Sequence, residues 1–180
     1  MPTESNLRPT KELLDALVTA LTDLLWTTDN GAVKAFDRVE LFDLMDLEEA
    51  FQQLIMNQNR VALIIYDRER FDEERTGAQM IIRRTHELSI VFTDRVIGNR
   101  QQALLGGPDN PGLLVLKDLV LPAVTGAILT NPKGQAGSPI SGEPMLITKD
   151  KKMPGRLAYL LEVEAQGGWL KADLGRSPIF

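Results

Sequence analysis

The first regular pattern along the chain begins at Thr10. In "TKELLDALVTALTDLLW" the apolar residues Leu13, Leu14, Leu17, Val18, Leu21, Leu24 and Leu25 recur at helical spacing. Pro9 and Thr10 stand where a helix starts, and Glu12 and Asp15 suit the positive end of its dipole. Asn30-Gly31 predicts the turn beyond its end. "AVKAFDRVELF" then reads as a strand running into a less regular stretch. "DLEEAFQQLIMNQN" predicts a short amphipathic helix, with Asp46 and Glu49 at capping-box spacing and Leu47, Ala50, Phe51, Leu54 and Ile55 as its buried stripe. "RVALIIY" is a continuous apolar run of strand length, so an interior strand covered on both faces is predicted.

The pattern then changes character. "DRERFDEERTG" is charged and lacks periodicity, which predicts a loop or projecting hairpin arm between two strong strands. The following stretch alternates: Met80, Ile82, Leu88, Ile90 and Phe92 share one parity, interrupted by Arg84 and His86. The other parity holds Arg83, Thr85, Glu87, Ser89 and Thr93, with Ile81 and Val91 as exceptions. Leu88 to Phe92 therefore reads as a half-buried strand, and Met80 to His86 as its more polar extension.

"IGNRQQALLGGPDNPG" reads as a long loop. Asn110 as cap and Pro111 at the first helical position predict a helix over "GLLVLKDLVLPAVTGAIL", which Pro122 is expected to kink or split. "TNPKGQAGSPISGEP" reads as a second loop. "PMLITKD" and "RLAYLLEVEA" predict two strands joined through Pro154-Gly155. The tail "QGGWLKADLGRSPIF" reads as extended and irregular, although it carries Trp169, Ile179 and Phe180. The strands are not separated by regular helices, so the expected fold is α+β: a largely antiparallel mixed sheet flanked by helices, with a long hairpin arm. One domain spans 1–180, with a core over 10–165, an N-terminal arm over 1–9 and a C-terminal arm over 166–180.

Composition narrows the chemistry. With 180 residues, 43% of them hydrophobic, the chain can build a core without staples, and with no cysteine it has no thiol catalysis or zinc–cysteine sites. No apolar run reaches the roughly 20 residues that span a bilayer. The start "MPTESNLRPT" lacks the features of a signal peptide, so synthesis in the cytoplasm is expected. The net charge of −5 is uneven: residues 10–60 carry four basic and ten acidic side chains, residues 133–176 seven basic and five acidic. An acidic front and a mildly basic back permit head-to-tail association of copies but lack the concentrated basic face of a DNA binder.

Candidate chemistry is sparse. The glycines of "GNRQQALLGG" and "NPKGQAGSPISG" match no phosphate-loop spacing. Asp43 and Asp46 lack an oxygen-rich loop and read as a solvated acidic edge. His86 is the single histidine and thus the natural candidate general base, but Thr85 and Glu87 alternate to the other sheet face, so it reads as structural or interfacial. No catalytic residue, cofactor or metal is assigned. The charged arm is either solvated or made for self-assembly, its arginines then reaching carboxylates on a neighbouring copy.

The order of elements resembles the tail terminator (tail completion) proteins of long-tailed bacteriophages. The resemblance spans roughly residues 10 to 165 and is carried by "TKELLDALVTALTDLL", "LEEAFQQLI", "RVALIIY", "GAQMIIRRTHELSIVF", "LKDLVLPAVTGAIL" and the closing pair "PMLITKD" and "RLAYLLEVEA". It rests on pattern and order, without a short diagnostic motif. It implies a non-enzymatic virion protein that forms a hexameric ring on the end of the tail tube, stops tube growth and presents a surface to the neck connector. In contractile tails the sheath is a further partner, and DNA only passes through the lumen. Arg68, Arg70, Phe71, Arg83, Arg84, His86, Trp169 and Phe180 are then the candidate assembly contacts. Other readings are a different neck component, such as a head-completion or stopper protein, and a small α+β enzyme or ligand-binding domain with a pocket under the 97–112 loop.

Overall fold

The structure is a computed structural model that describes residues 3–7, 9–42, 52, 59–96, 99–107, 110–129, 137–147 and 156–173. The predicted helix around Leu47–Ile55, with its Asp46 cap, lies outside the described residues apart from helical Gln52.

The described elements are β1 (Thr3–Ser5), α1 (Thr10–Thr22), β2 (Leu25–Thr28), β3 (Gly31–Lys34), β4 (Arg38–Phe42), β5 (Val61–Thr76), β6 (Gln79–Thr93), α2 (Arg100–Leu105), α3 (Gly112–Leu129), β7 (Gly137–Ile147) and β8 (Arg156–Asp173). The main sheet has the order β1-β8-β6-β5-β4, with β7 also paired to β8. β4 runs parallel to β5, and every other pair in the sheet is antiparallel. The fold is α+β, as the pattern predicts.

Helices α1 and α3 cover one face. Leu13, Leu17 and Leu21 of α1, four apart, meet Leu113, Leu116, Val120 and Val124 of α3 over Ala62, Ile64, Leu88, Ile90, Phe92, Leu161 and Val163. The opposite face buries a smaller cluster of Val61, Leu63, Ile65, Val91 and Ala158. This two-sided burial explains the unbroken "VALII" run.

Several predicted boundaries move. α1 stops at Thr22, and Leu25, expected in its stripe, is 52% exposed at the start of the β2–β3 hairpin. Trp26, Thr27 and Thr28 are aromatic or β-branched, which favours an extended chain there. The 97–112 loop contains α2, capped by Asn99, whose side chain accepts from the Gln102 backbone N–H at 3.2 Å. α3 is not split by Pro122, which is exposed, so the carbonyl deprived of its partner faces solvent. Nor does Asn110 cap α3. The orphan N–H of Gly112 donates instead to the distant Asp94 Oδ2 at 2.8 Å, which also accepts from Asn110 Nδ2 at 2.9 Å.

Residues 137–144, read as loop, and 166–173, read as extended and irregular, are strand. β7 pairs with β8 from Gly137 onward, and the far half of β8 pairs with β6 on one side and β1 on the other. Residues assigned to the two terminal arms thus meet in one sheet, Thr3–Ser5 opposite Leu170–Ala172.

Candidate assembly surface

β5 and β6 run on past the helices as one long hairpin, and residues 166–173 of β8 and then β1 widen it into a four-stranded arm. Two bulges mark where the arm leaves the core. Asp67 is the extra residue of β5, between Tyr66 opposite Leu88 and Arg68 opposite Glu87. Gly167 is the extra residue of β8, between Gln166 opposite Thr85 and Gly168 opposite Arg84. Bulges bend a strand and sharpen its twist. The one on β5 also reverses its parity, bringing Glu69 to the face already occupied by Tyr66.

The glycine pair has a steric reason. A Cβ on Gly167 would lie 2.5 Å from His86 Nε2 and 2.7 Å from Arg84 Nε. Gly168 has φ +100°, and a Cβ there would lie 2.0 Å from the backbone oxygen of Asn6. The pair therefore lets β1 and the end of β8 close over two large polar side chains.

Those side chains form a buried cluster at the base of the arm. His86 is 1% exposed, with Nδ1 2.8 Å from the Tyr66 hydroxyl and 3.7 Å from Glu69 Oε1. Thr10, opening α1, donates its hydroxyl to Glu69 at 3.2 Å, and Arg84 donates to the Gly167 carbonyl at 3.3 Å while its Nη1 lies 3.8 Å from Glu69. Burial opposes the charge on Glu69, but hydrogen bonds from Tyr66 and Thr10 and the Arg84 charge hold its carboxyl below the usual range. Burial, then the Glu69 carboxylate, pushes the Tyr66 hydroxyl up. Burial and Arg84 pull the His86 imidazole down against the opposing pull of Glu69. The Tyr66 hydroxyl and His86 Nδ1 share one hydrogen bond, its direction set by the imidazole tautomer. His86 Nε2 has no partner and packs against Gly167.

Beyond this cluster the two faces of the arm differ. Register places Phe71, Glu73 and Arg75 beside Arg84, Ile82 and Met80, and next to Gly168, Leu170 and Ala172. This face continues the helix-covered core face past the start of α1. Phe71 on it is 59% exposed, while Met80, Ile82 and Leu170 are partly exposed. The opposite face carries ion pairs: Arg68–Glu87 at 2.6 Å, Arg70 with Glu87 and Glu164 at 3.1 Å each, and Arg83–Glu74 at 3.1 Å.

The predicted contact residues thus fall into four groups. Arg68, Arg70, Phe71 and Arg83 are exposed on the arm, Trp169 is half-buried opposite Arg83, and Phe180 lies outside the described residues. His86 is buried within its own chain and has no surface to offer, a correction caused by Tyr66 and the Gly167 bulge; Arg84 is also largely turned inward. The arginines on the charged face already hold carboxylates of their own chain. Exposed pairs of this kind are worth about 0–1 kcal/mol, so exchanging such a partner costs little.

Among the described residues no group of three or more His, Asp or Glu side chains is placed to hold a metal ion, and no helix is long and apolar enough to cross a membrane. No protein-family model matches the chain, and no curated protein matches it significantly in sequence.

Proposed function

We propose that the protein is a structural component of a phage tail end, a ring-forming tail terminator that assembles through its arm. The supporting observation is the arm face beyond the helices, where Phe71 stands exposed opposite Arg84 and Ile82, Met80 and Leu170 are partly exposed on the same face. β4 pairs with β5 only over Val61–Ile65, so among the described residues the outer edge of β5 from Arg68 to Thr76 has no strand partner. A free edge that carries an exposed phenylalanine fits a neighbouring copy. The hexameric ring and its partners, the tail tube, the neck connector and in contractile tails the sheath, follow from the resemblance in element order.

Light scattering across a concentration series, alone and with purified tail tubes, tests the reading. A ring-sized species, or a monomer that joins the tube end, is expected, and Phe71→Asp is expected to abolish either while leaving the monomer folded. A stable monomer that ignores tubes would overturn the proposal. Rings that bind a connector but not a tube end would point to another neck component.

A further inference from the structure

At the end of the sheet away from the arm, the β2–β3 hairpin borders an open cleft of about 380 Å³. Trp26, Val33, Lys34, Asp37, Arg60 and Arg95 contribute to its lining. Among the described lining residues one carboxylate stands with three cations. Asp37 Oδ2 accepts from Arg95 Nη2 at 3.2 Å and from the Arg60 backbone N–H at 3.3 Å, and Oδ1 lies 3.9 Å from Arg60 Nη2. Lys34 adds the third positive charge.

Arg60 is the unusual member. Its side chain is 7% exposed, its guanidinium carbon lies 5.6 Å from the centre of the Trp26 ring, and Nε and Nη1 are buried without a hydrogen-bond acceptor. Donors on a buried guanidinium are normally paired, because an ion stripped of water is costly without acceptors. The Asp37 carboxylate is already shared with Arg95 and with the backbone.

We infer that this cleft binds a phosphate group, as free phosphate or as a phosphomonoester. Lys34, Arg60 and Arg95 against Asp37 leave a local excess of two positive charges in a chain whose net charge is −5. A phosphate dianion offsets that excess, whereas a carboxylate offsets half of it. Guanidinium groups match phosphate oxygens in geometry as well as charge. The site is independent of the arm and of the ring reading.

The test uses the full chain carrying Trp169→Phe, which leaves Trp26 as the only tryptophan. Its fluorescence is titrated at neutral pH and constant ionic strength with inorganic phosphate, glycerol phosphate, acetate and chloride. A saturable response to phosphate is expected, with acetate at least about tenfold weaker, as the loss of one charge-assisted contact implies. Arg95→Gln and Lys34→Gln, both exposed positions, are expected to weaken phosphate binding about fivefold or more. Tighter binding of glycerol phosphate assigns the site to a phosphomonoester, and equal or weaker binding to free phosphate. A response to chloride matching that to phosphate, acetate binding as tightly as phosphate, or two exposed-cation variants that bind like the parent would overturn the assignment.

Discussion

Arg156 and His86 are both 1% exposed, and both sit where a long strand meets the rest of the molecule, yet they are satisfied in different ways. Arg156, at the start of β8, donates from Nε to the Asp94 carbonyl at 2.8 Å and from Nη2 to the Asn59 carbonyl at 2.9 Å. Its acceptors are main-chain atoms next to β5 and β6, held in place by the sheet itself. Desolvation lowers its pKa to about 10, against the pull of Asp94, so it remains charged at neutral pH. His86 is held instead by side chains that themselves carry titratable protons, Tyr66 and Glu69. The first cluster is a static brace, while the second depends on which groups hold protons. Partner type, more than depth of burial, separates them.

The static brace depends most on Arg156. Arg156→Met leaves two backbone carbonyls and the Asp94 neighbourhood without their donor, and a loss of about 3–5 kcal/mol is expected, read by urea denaturation. A loss below about 1 kcal/mol would remove the distinction between the two clusters. A smaller effect is expected from Gly168→Ala, which places a Cβ against the Asn6 carbonyl at a positive φ. It should cost about 1–3 kcal/mol and raise hydrogen exchange selectively at Thr3–Ser5 and Leu170–Ala172. Uniform exchange across the sheet would show that β1 is not seated separately.

The smallest effect sharpens the contrast through pH. The folded-state pKa of His86 lies below its ordinary value, so its contribution is fully present above about pH 6.5 and is lost as pH falls through the lowered folded value. Glu69, also lowered, adds a loss only in the more acidic carboxylate range. Stability measured between about pH 7.5 and about pH 5 should therefore fall more steeply for the parent than for His86→Gln. Parallel curves would mean that the imidazole titrates alike in the folded and unfolded chains.

The strong periodic segments are legible in the sequence. "VALII" and Leu88–Phe92 carry burial in their spacing, and Leu13, Leu17 and Leu21 do the same for α1. Features that depend on a single extra residue are not. Gly167 makes His86 internal and Asp67 turns Glu69 toward it, yet a bulge leaves no periodic trace in one strand read alone. The double glycine was the available signal, and it stood in a tail whose turn-forming residues suggested irregular chain. The Arg60 cleft was hidden differently, because Trp26, Lys34, Asp37, Arg60 and Arg95 are scattered over 70 positions and meet only through the fold.

The pairing of Thr3–Ser5 with Leu170–Ala172 has a consequence for biosynthesis. The first described strand leaves the ribosome early and waits for a partner that is translated more than 160 residues later. Until β8 arrives, the β5–β6 hairpin lacks one neighbour, and β1 has none. Contacts this distant in sequence form slowly and late. The arm is therefore completed only after β8 has been translated, late in synthesis.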